Sequence, residues 1–179
     1  DSIVNFLDKI LPLIDKYYYA DGEEELEDVL GKVILDNKKT ISTAESCTGG
    51  LISDRLTNTP NSSSYFKGGI VAYSNLLKIN LLNVNKETLN KYGAVSKEVA
   101  LEMAEGVRKQ LDVDIGLSTT GIAGPSGGSK DKPIGLVFIG ISSSNYNKVF
   151  KLNFTKDRKI NKLMTSQAAL NILRNYLKH

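Results

Sequence analysis

TISTAESCTGGLISDRL, residues 40–56, reads as a strand from Thr40 to Ala44, a Gly49-Gly50 turn and a helix from Leu51 to Leu56. A strand that hands over to a helix is the repeating unit of an α/β fold, and the flanking sequence repeats it. Upstream, Leu26, Val29, Leu30, Val33 and Ile34 recur at helical spacing from Glu23 onward, with acids gathered at the start where the helix dipole favours them. Earlier still, residues 2 to about 19 read as a short amphipathic helix interrupted near Pro12 and closed by three tyrosines before Ala20-Asp21-Gly22.

Downstream, GGIVAYS (68–74) predicts a second strand, followed by short helices around Leu76–Leu82 and Lys86–Tyr92. Ser96 can cap a longer helix carrying Val99, Met103, Val107 and Leu111, and Ile115–Thr119 predicts another strand. GIAGPSGGSKDKP (121–133) has too many glycines for an element and reads as a loop. Ile134–Ile141 and Lys148–Phe154 predict a hairpin turning at Ser143–Asn147, and Asp157–Leu177 a closing helix. The expected architecture is a three-layer α/β sandwich, a mixed sheet flanked by helices.

Composition narrows the chemistry. With 179 residues, one principal domain is the default, and 41% hydrophobic with 24% charged residues is globular composition. No apolar run reaches the roughly 18 residues of a membrane span and no signal peptide is legible, so a cytoplasmic protein without membrane association is expected. Net charge +3 with dispersed lysines does not indicate nucleic-acid binding. The single cysteine, Cys47, excludes an internal disulfide and a CxxC zinc site, and no metal or cofactor is expected. The single histidine, His179, ends the chain, so acid–base work falls to lysine, tyrosine, a carboxylate or water.

Three clusters carry polar chemistry. AESCTGG (44–50) lies where a strand gives way to a helix, a turn that either caps the helix or exposes the Ser46 hydroxyl beside outward-pointing N–H groups. Glu45 there is either a base or an exposed acid. In Tyr73-Ser74-Asn75, Lys78 falls one turn into the following helix. It is either a surface charge or, folded back beside a serine in a partly dry site, a base of lowered pKa. STTGIAGP (118–125) with Gly127 and Gly128 is either a plain loop or a backbone cradle for an anion, and it lacks a Walker A ending. All three follow strands, where open α/β sheets place their ligands.

At AESCTGG, GGIVAYSNLLK, YGAVSKEVALEMAEGVR, TTGIAGPSGGSKDKPIGLVFIGI and Asp157-Arg158 the sequence resembles the CinA C-terminal family, of the PncC-type nicotinamide-nucleotide amidohydrolases, from about Glu23 to the end. The resemblance implies conversion of nicotinamide mononucleotide to nicotinic acid mononucleotide and ammonia, with Ser46 as nucleophile and Lys78 as its activator. It makes Tyr73 and Thr120 positioning or relay groups and Arg158 the phosphate ligand. Glu45, Cys47, Thr48, Gly49, Gly121, Ala123 and Gly124 complete the expected substrate surround, with the N–H groups of 47–49 as oxyanion donors. Lys162 stands where many relatives have a second arginine. The resemblance also implies a homodimer acting on a small nucleotide. It makes residues 1–22 a linker from a preceding domain and residues 23–179 the amidohydrolase domain. The competing reading is a non-catalytic nucleotide-sensing or competence-related module, and a phosphate-ester hydrolase is disfavoured for want of metal-binding carboxylates.

Overall fold

The computed structural model describes residues 2–155 and 157–178; His179 lies outside them. In chain order the elements are α1 (Ser2–Ile14), α2 (Leu26–Asp36), β1 (Ile41–Glu45), α3 (Leu51–Asn58), α4 (Ser62–Tyr65), β2 (Phe66–Val71) and α5 (Asn75–Leu82). There follow α6 (Lys86–Tyr92), α7 (Lys97–Gln110), β3 (Ile115–Gly121), β4 (Leu136–Ser142), β5 (Asn147–Asn153) and α8 (Arg158–Leu177). The five strands form one sheet in the order β2-β1-β3-β4-β5. The first three are parallel, and β4 and β5 add antiparallel strands to one side, giving the mixed sheet.

Alternation along the strands assigns the two faces. Ile41, Ile115, Leu117, Val137, Ile139 and Ile141 join one core cluster with Leu26, Leu30 and Ile34 of α2, Ile52 and Leu56 of α3, and Ala169, Leu170 and Leu173 of α8. On the other face stand Ser42, Ala44, Gly116, Ser118 and Gly140, under α7. Small residues there let the helix approach closely: a Cβ on Gly116 would lie 2.0 Å from the Ala104 carbonyl oxygen, and one on Gly140 2.6 Å from that of Ala100. Ser118 Oγ donates to the Ala100 carbonyl, fixing α7 in that seat. Among the described residues no helix is long and apolar enough to cross a membrane.

Several boundaries differ from the expected ones. Strand β2 covers 66–71 and not 68–74, because its partner β1 ends at Glu45, opposite Val71; Ala72 and Tyr73 therefore leave the sheet. The one-turn helix α4 has no apolar periodicity in Ser-Ser-Ser-Tyr to announce it. Strand β4 starts at Leu136, after Gly135 turns the chain at φ +88°. Helix α1 runs through Pro12 instead of breaking there, which close to its C-terminal end removes one helical hydrogen bond. The carbonyls that follow α1 are held by α8. Asn171 and Asn175 donate to the Lys16 carbonyl at 2.8 and 2.9 Å, and the buried Arg174 guanidinium donates to it at 3.2 Å.

Helices α2, α3 and α8 meet at Arg55, which is 9% exposed, as is its partner Glu27 at 8%. Arg55 Nε and Nη2 donate to the two carboxylate oxygens at 3.2 and 2.6 Å, and the guanidinium also donates to Ser166 Oγ and Gln167 Oε1 on α8. Removing one partner of a buried pair strands the other, at a cost of about 3 to 5 kcal/mol. Arg55→Ala is therefore expected to lose about 3 kcal/mol in urea unfolding near neutral pH. Burial works to raise the Glu27 carboxyl, but the hydrogen bond and charge of Arg55 outweigh it and hold the group below its ordinary 4.5. The unfolded chain then binds the proton first, so this stabilisation is complete above the ordinary value and is lost as pH falls through the folded one. Between about pH 6 and about pH 3 the urea midpoint of the wild type should fall more steeply than that of Glu27→Gln, and parallel curves would exclude Glu27 as the responsible group.

Candidate active site

Glu45, Val71 and Thr119 are side by side in the register of β1, β2 and β3; β1 and β2 end there, while β3 runs on to Gly121 against β4. The crossover from β1 to β2 runs through α3 on one face and the crossover from β2 to β3 through α5–α7 on the other. The ends of β1 and β3 therefore flank a switch point, where an open sheet leaves a crevice. Ser46 is the first residue beyond β1, and its N–H donates to the Thr119 carbonyl at 3.0 Å. The chain then turns through Gly49 and Gly50, at φ +63° and +96°, values cheap only for glycine, and enters α3.

Lys78 lies one turn into α5, whose cap Ser74 accepts from the Leu77 N–H. Its side chain folds back under the end of β2 and is 1% exposed. Nζ donates to Ser46 Oγ at 3.0 Å, to the Ala72 carbonyl at 2.8 Å and to the Tyr73 carbonyl at 3.4 Å. Because β2 ends at Val71, these two carbonyls are free to accept it. Burial pulls the Lys78 pKa below the ordinary lysine value. Nζ thus has three oxygen partners, two backbone carbonyls and the Ser46 hydroxyl, and no carboxylate among the described residues.

A cleft of about 210 Å³ opens at this pair, lined by Ser46, Cys47, Tyr73, Asn75, Lys78, Ala94, Val95, Thr120, Gly121, Ala123 and Arg158. Arg158, first residue of α8, spans it: Nη2 donates to the Tyr73 hydroxyl at 3.0 Å and Nη1 to the Gly124 carbonyl at 2.9 Å. Tyr73 is 60% exposed, with its hydroxyl on Arg158. Thr120 donates to the Ala94 carbonyl at 2.8 Å, tying the loop before α7 to the sheet. Asn161, buried on α8, donates to the Ala123 carbonyl and accepts from the Thr155 N–H, so the glycine-rich loop and the start of α8 are pinned together.

Not every expected residue reaches the cleft. Glu45 does not line it: the side chain is fully buried toward α3 and accepts from the N–H groups of Gly50, Ile52 and Ser53 and from Ser53 Oγ. It is thus not an exposed acid, and it does not line the cleft where it was expected as a substrate contact. The Thr48 hydroxyl pairs with that of Thr119 at 2.8 Å, also buried. Gly49 and Gly124 are not among the lining residues: Gly124, buried, contributes its carbonyl to Arg158, and Gly49, exposed, stands beside Lys162, whose Nζ is 3.5 Å from where its Cβ would be. Asn75, quoted in the second cluster but given no role, lines the cleft, as do Ala94 and Val95. Asn75 stands three residues before Lys78 on the same helix face, a usable signal, whereas the two apolar residues carry none.

A mixed-sheet α/β sandwich with a lysine–serine pair beyond the carboxyl ends of its parallel strands is the class that fold and site define. Within that class the chain belongs to the CinA C-terminal domain family, whose model matches residues 23–177. It is 54% identical over 166 residues to a protein of Halothermothrix orenii named as competence-damage inducible, covering 92% of this chain and 40% of that one. It is 49% identical over 169 residues to a CinA-like protein of a Sulfurihydrogenibium species, covering 94% and 42%. The chain thus spans about two fifths of the length of these curated relatives. Among solved structures, the competence/damage inducible protein CihA of Agrobacterium tumefaciens superposes with TM-score 0.81 at 35% identity, over 89% of this chain and all of that one. A CinA superfamily protein of Klebsiella pneumoniae superposes with TM-score 0.83 at 28% identity, over 86% and 96%.

Two measurements test this electrostatic picture. The Cys47 thiol is pushed up to about 12 by burial, so at mildly alkaline pH it should resist iodoacetamide in the native protein and react on unfolding; fast native alkylation would contradict the burial. For Lys78 the folded pKa lies below the unfolded one, so between the two the unfolded chain binds more protons and stability rises with pH. Lys78→Met should therefore unfold at higher urea than the wild type near neutral pH, with the advantage shrinking as pH rises toward the ordinary lysine value. A variant less stable at every pH would show that the lysine is not held at a cost.

Proposed function

We propose that this chain is an amidohydrolase that converts nicotinamide mononucleotide to nicotinic acid mononucleotide and ammonia, with Ser46 as nucleophile and Lys78 as general base. The observation that carries the reading is the buried 3.0 Å contact between Lys78 Nζ and Ser46 Oγ, with backbone carbonyls on the other two sides of the nitrogen. The choice of substrate rests on the family resemblance, and the cleft is consistent with it.

Neutral Lys78 takes the Ser46 proton as the oxygen attacks the carboxamide carbon, and the resulting ammonium returns that proton to the departing nitrogen. Ammonia leaves and an acyl ester remains on Ser46. Lys78 then takes a proton from water, the hydroxide attacks the ester, and the carboxylate is released with Ser46 reprotonated. For the tetrahedral oxyanion the turn supplies the N–H groups of Cys47, Thr48 and Gly49. Those of Ser46, Gly50, Ile52 and Ser53 are already bonded, to the Thr119 carbonyl and to Glu45. One such donor is worth about 3 to 4 kcal/mol in kcat where it has been removed. The phosphate falls to Arg158, which exchanges its bonds to Tyr73 and Gly124 for charge-assisted ones to the anion.

Ammonia release from nicotinamide mononucleotide, with free nicotinamide as control, tests the reading. Ser46→Ala should bind nucleotide without turnover, and Lys78→Arg, whose guanidinium keeps its proton, should lose about 10³-fold in kcat. Nucleotide binding by the wild type without ammonia release would establish a sensing module instead. Arg158→Ala is expected to raise KM by at least about 10-fold while kcat changes far less; an unchanged KM would remove Arg158 from phosphate binding.

A further inference from the structure

We infer that Glu45 is a positioning residue: its carboxylate holds the Ser46 turn in the shape that aims the serine at Lys78 and leaves the oxyanion N–H groups free. The inference rests on the Ser46–Lys78 reading and adds a function to a side chain that touches neither the cleft nor the lysine.

Both carboxylate oxygens are occupied. Oε1 accepts from the Ser53 N–H at 2.8 Å and from Ser53 Oγ at 2.7 Å, and Oε2 accepts from the N–H groups of Gly50 at 3.0 Å and Ile52 at 3.1 Å. Each bond crosses the turn that contains Ser46, from the residue before it to the first turn of α3. A full negative charge at 0% exposure is tolerable there because it faces the positive end of α3. The turn is thus closed from both sides, by the Ser46 N–H on the Thr119 carbonyl and by Glu45 on the helix.

The surroundings leave Glu45 no slack. Ser53 Oγ is also 2.8 Å from Thr43 Oγ1, and a Cβ on Gly69 of β2 would lie 2.2 Å from Ser53 Oγ and 2.5 Å from Thr43 Oγ1. Backbone therefore walls the cluster in, so the carboxylate, the serine and the helix start move together. Glu45 projects to the α3 face of the sheet, while Lys78 reaches Ser46 from α5 on the opposite face. The carboxylate acts on catalysis through the turn alone and does not serve as the base.

Glu45→Gln keeps the size but points an NH₂ at N–H donors. It should lower kcat about 10- to 100-fold, with KM within about 2-fold of wild type and the lysine-dependent limb of the pH profile unmoved. Ser53→Ala, a milder change that removes the 2.7 Å donor and lies outside the cleft, should lower kcat a few-fold in the same pattern and keeps the inference testable if Glu45→Gln does not fold. A second readout needs no substrate: an aryl sulfonyl fluoride sulfonylates Ser46 Oγ, fluoride leaving and the serine proton passing to Lys78. Labelling of both variants should slow in proportion to kcat. Loss of the pH limb would make Glu45 the base, and a raised KM at unchanged kcat would make it a substrate contact; either overturns the inference. Wild-type labelling rates in the folded variants overturn it too, leaving the Ser46–Lys78 reading intact. A wild type that neither labels at Ser46 nor releases ammonia overturns both.

Discussion

Glu45, Val71 and Thr119 stand abreast on three parallel strands, and the cleft follows from that alignment. Because β1 and β2 stop there and β3 runs only two residues further, three chain segments meet at this end of the sheet, each delivering different chemistry. The first brings Ser46 and its turn, the second the Ala72 and Tyr73 carbonyls with Lys78 behind them, and the third Thr120 and the glycine-rich loop. The close seating of α7 on Gly116 and Gly140 serves the same end, since that helix carries the loop whose Ala94 carbonyl accepts from Thr120. A shift of one residue in β1 would turn Glu45 to the other face and carry Ser46 away from Lys78.

The sheet also keeps the carboxylate and the amine apart. Glu45 is satisfied by the amides of α3 on one face, and Lys78 by neutral acceptors at the other. A carboxylate beside the lysine would favour its protonated form and raise its pKa. Here burial acts against protonation with no carboxylate bonded to it among the described residues. Cys47, one residue from the serine, is held as a neutral thiol by the same dryness.

Much of this was legible in the chain. Periodicity located the strands and, α4 apart, the helices from α2 onward within a few residues, because the large apolar side chains pack into two clusters, one on each side of the sheet. The glycines at 49, 50 and 121 marked turns beside strand ends, which is where the cleft lies. Two kinds of information were out of reach. Strand ends depend on partners far away in sequence, so the early exit of Ala72 from β2 could not be read from GGIVAYS. Side-chain direction was equally hidden: Glu45 alternates away from the crevice once β1 pairs, and Asn161 grips the glycine-rich loop from a helix with no local sign of it.

Ser46 and Lys78 are 32 residues apart and arrive from crossovers on opposite faces of the sheet. Their contact needs β1, β2 and β3 paired and α5 docked, so no fragment or half-formed intermediate holds it. In the proposed mechanism the serine is therefore activated only by the assembled fold. During synthesis and refolding the nascent chain carries an ordinary alcohol and an ordinary solvated ammonium, harmless to neighbouring molecules. The proposed reactivity of the pair belongs to the tertiary structure and to no local segment of the chain.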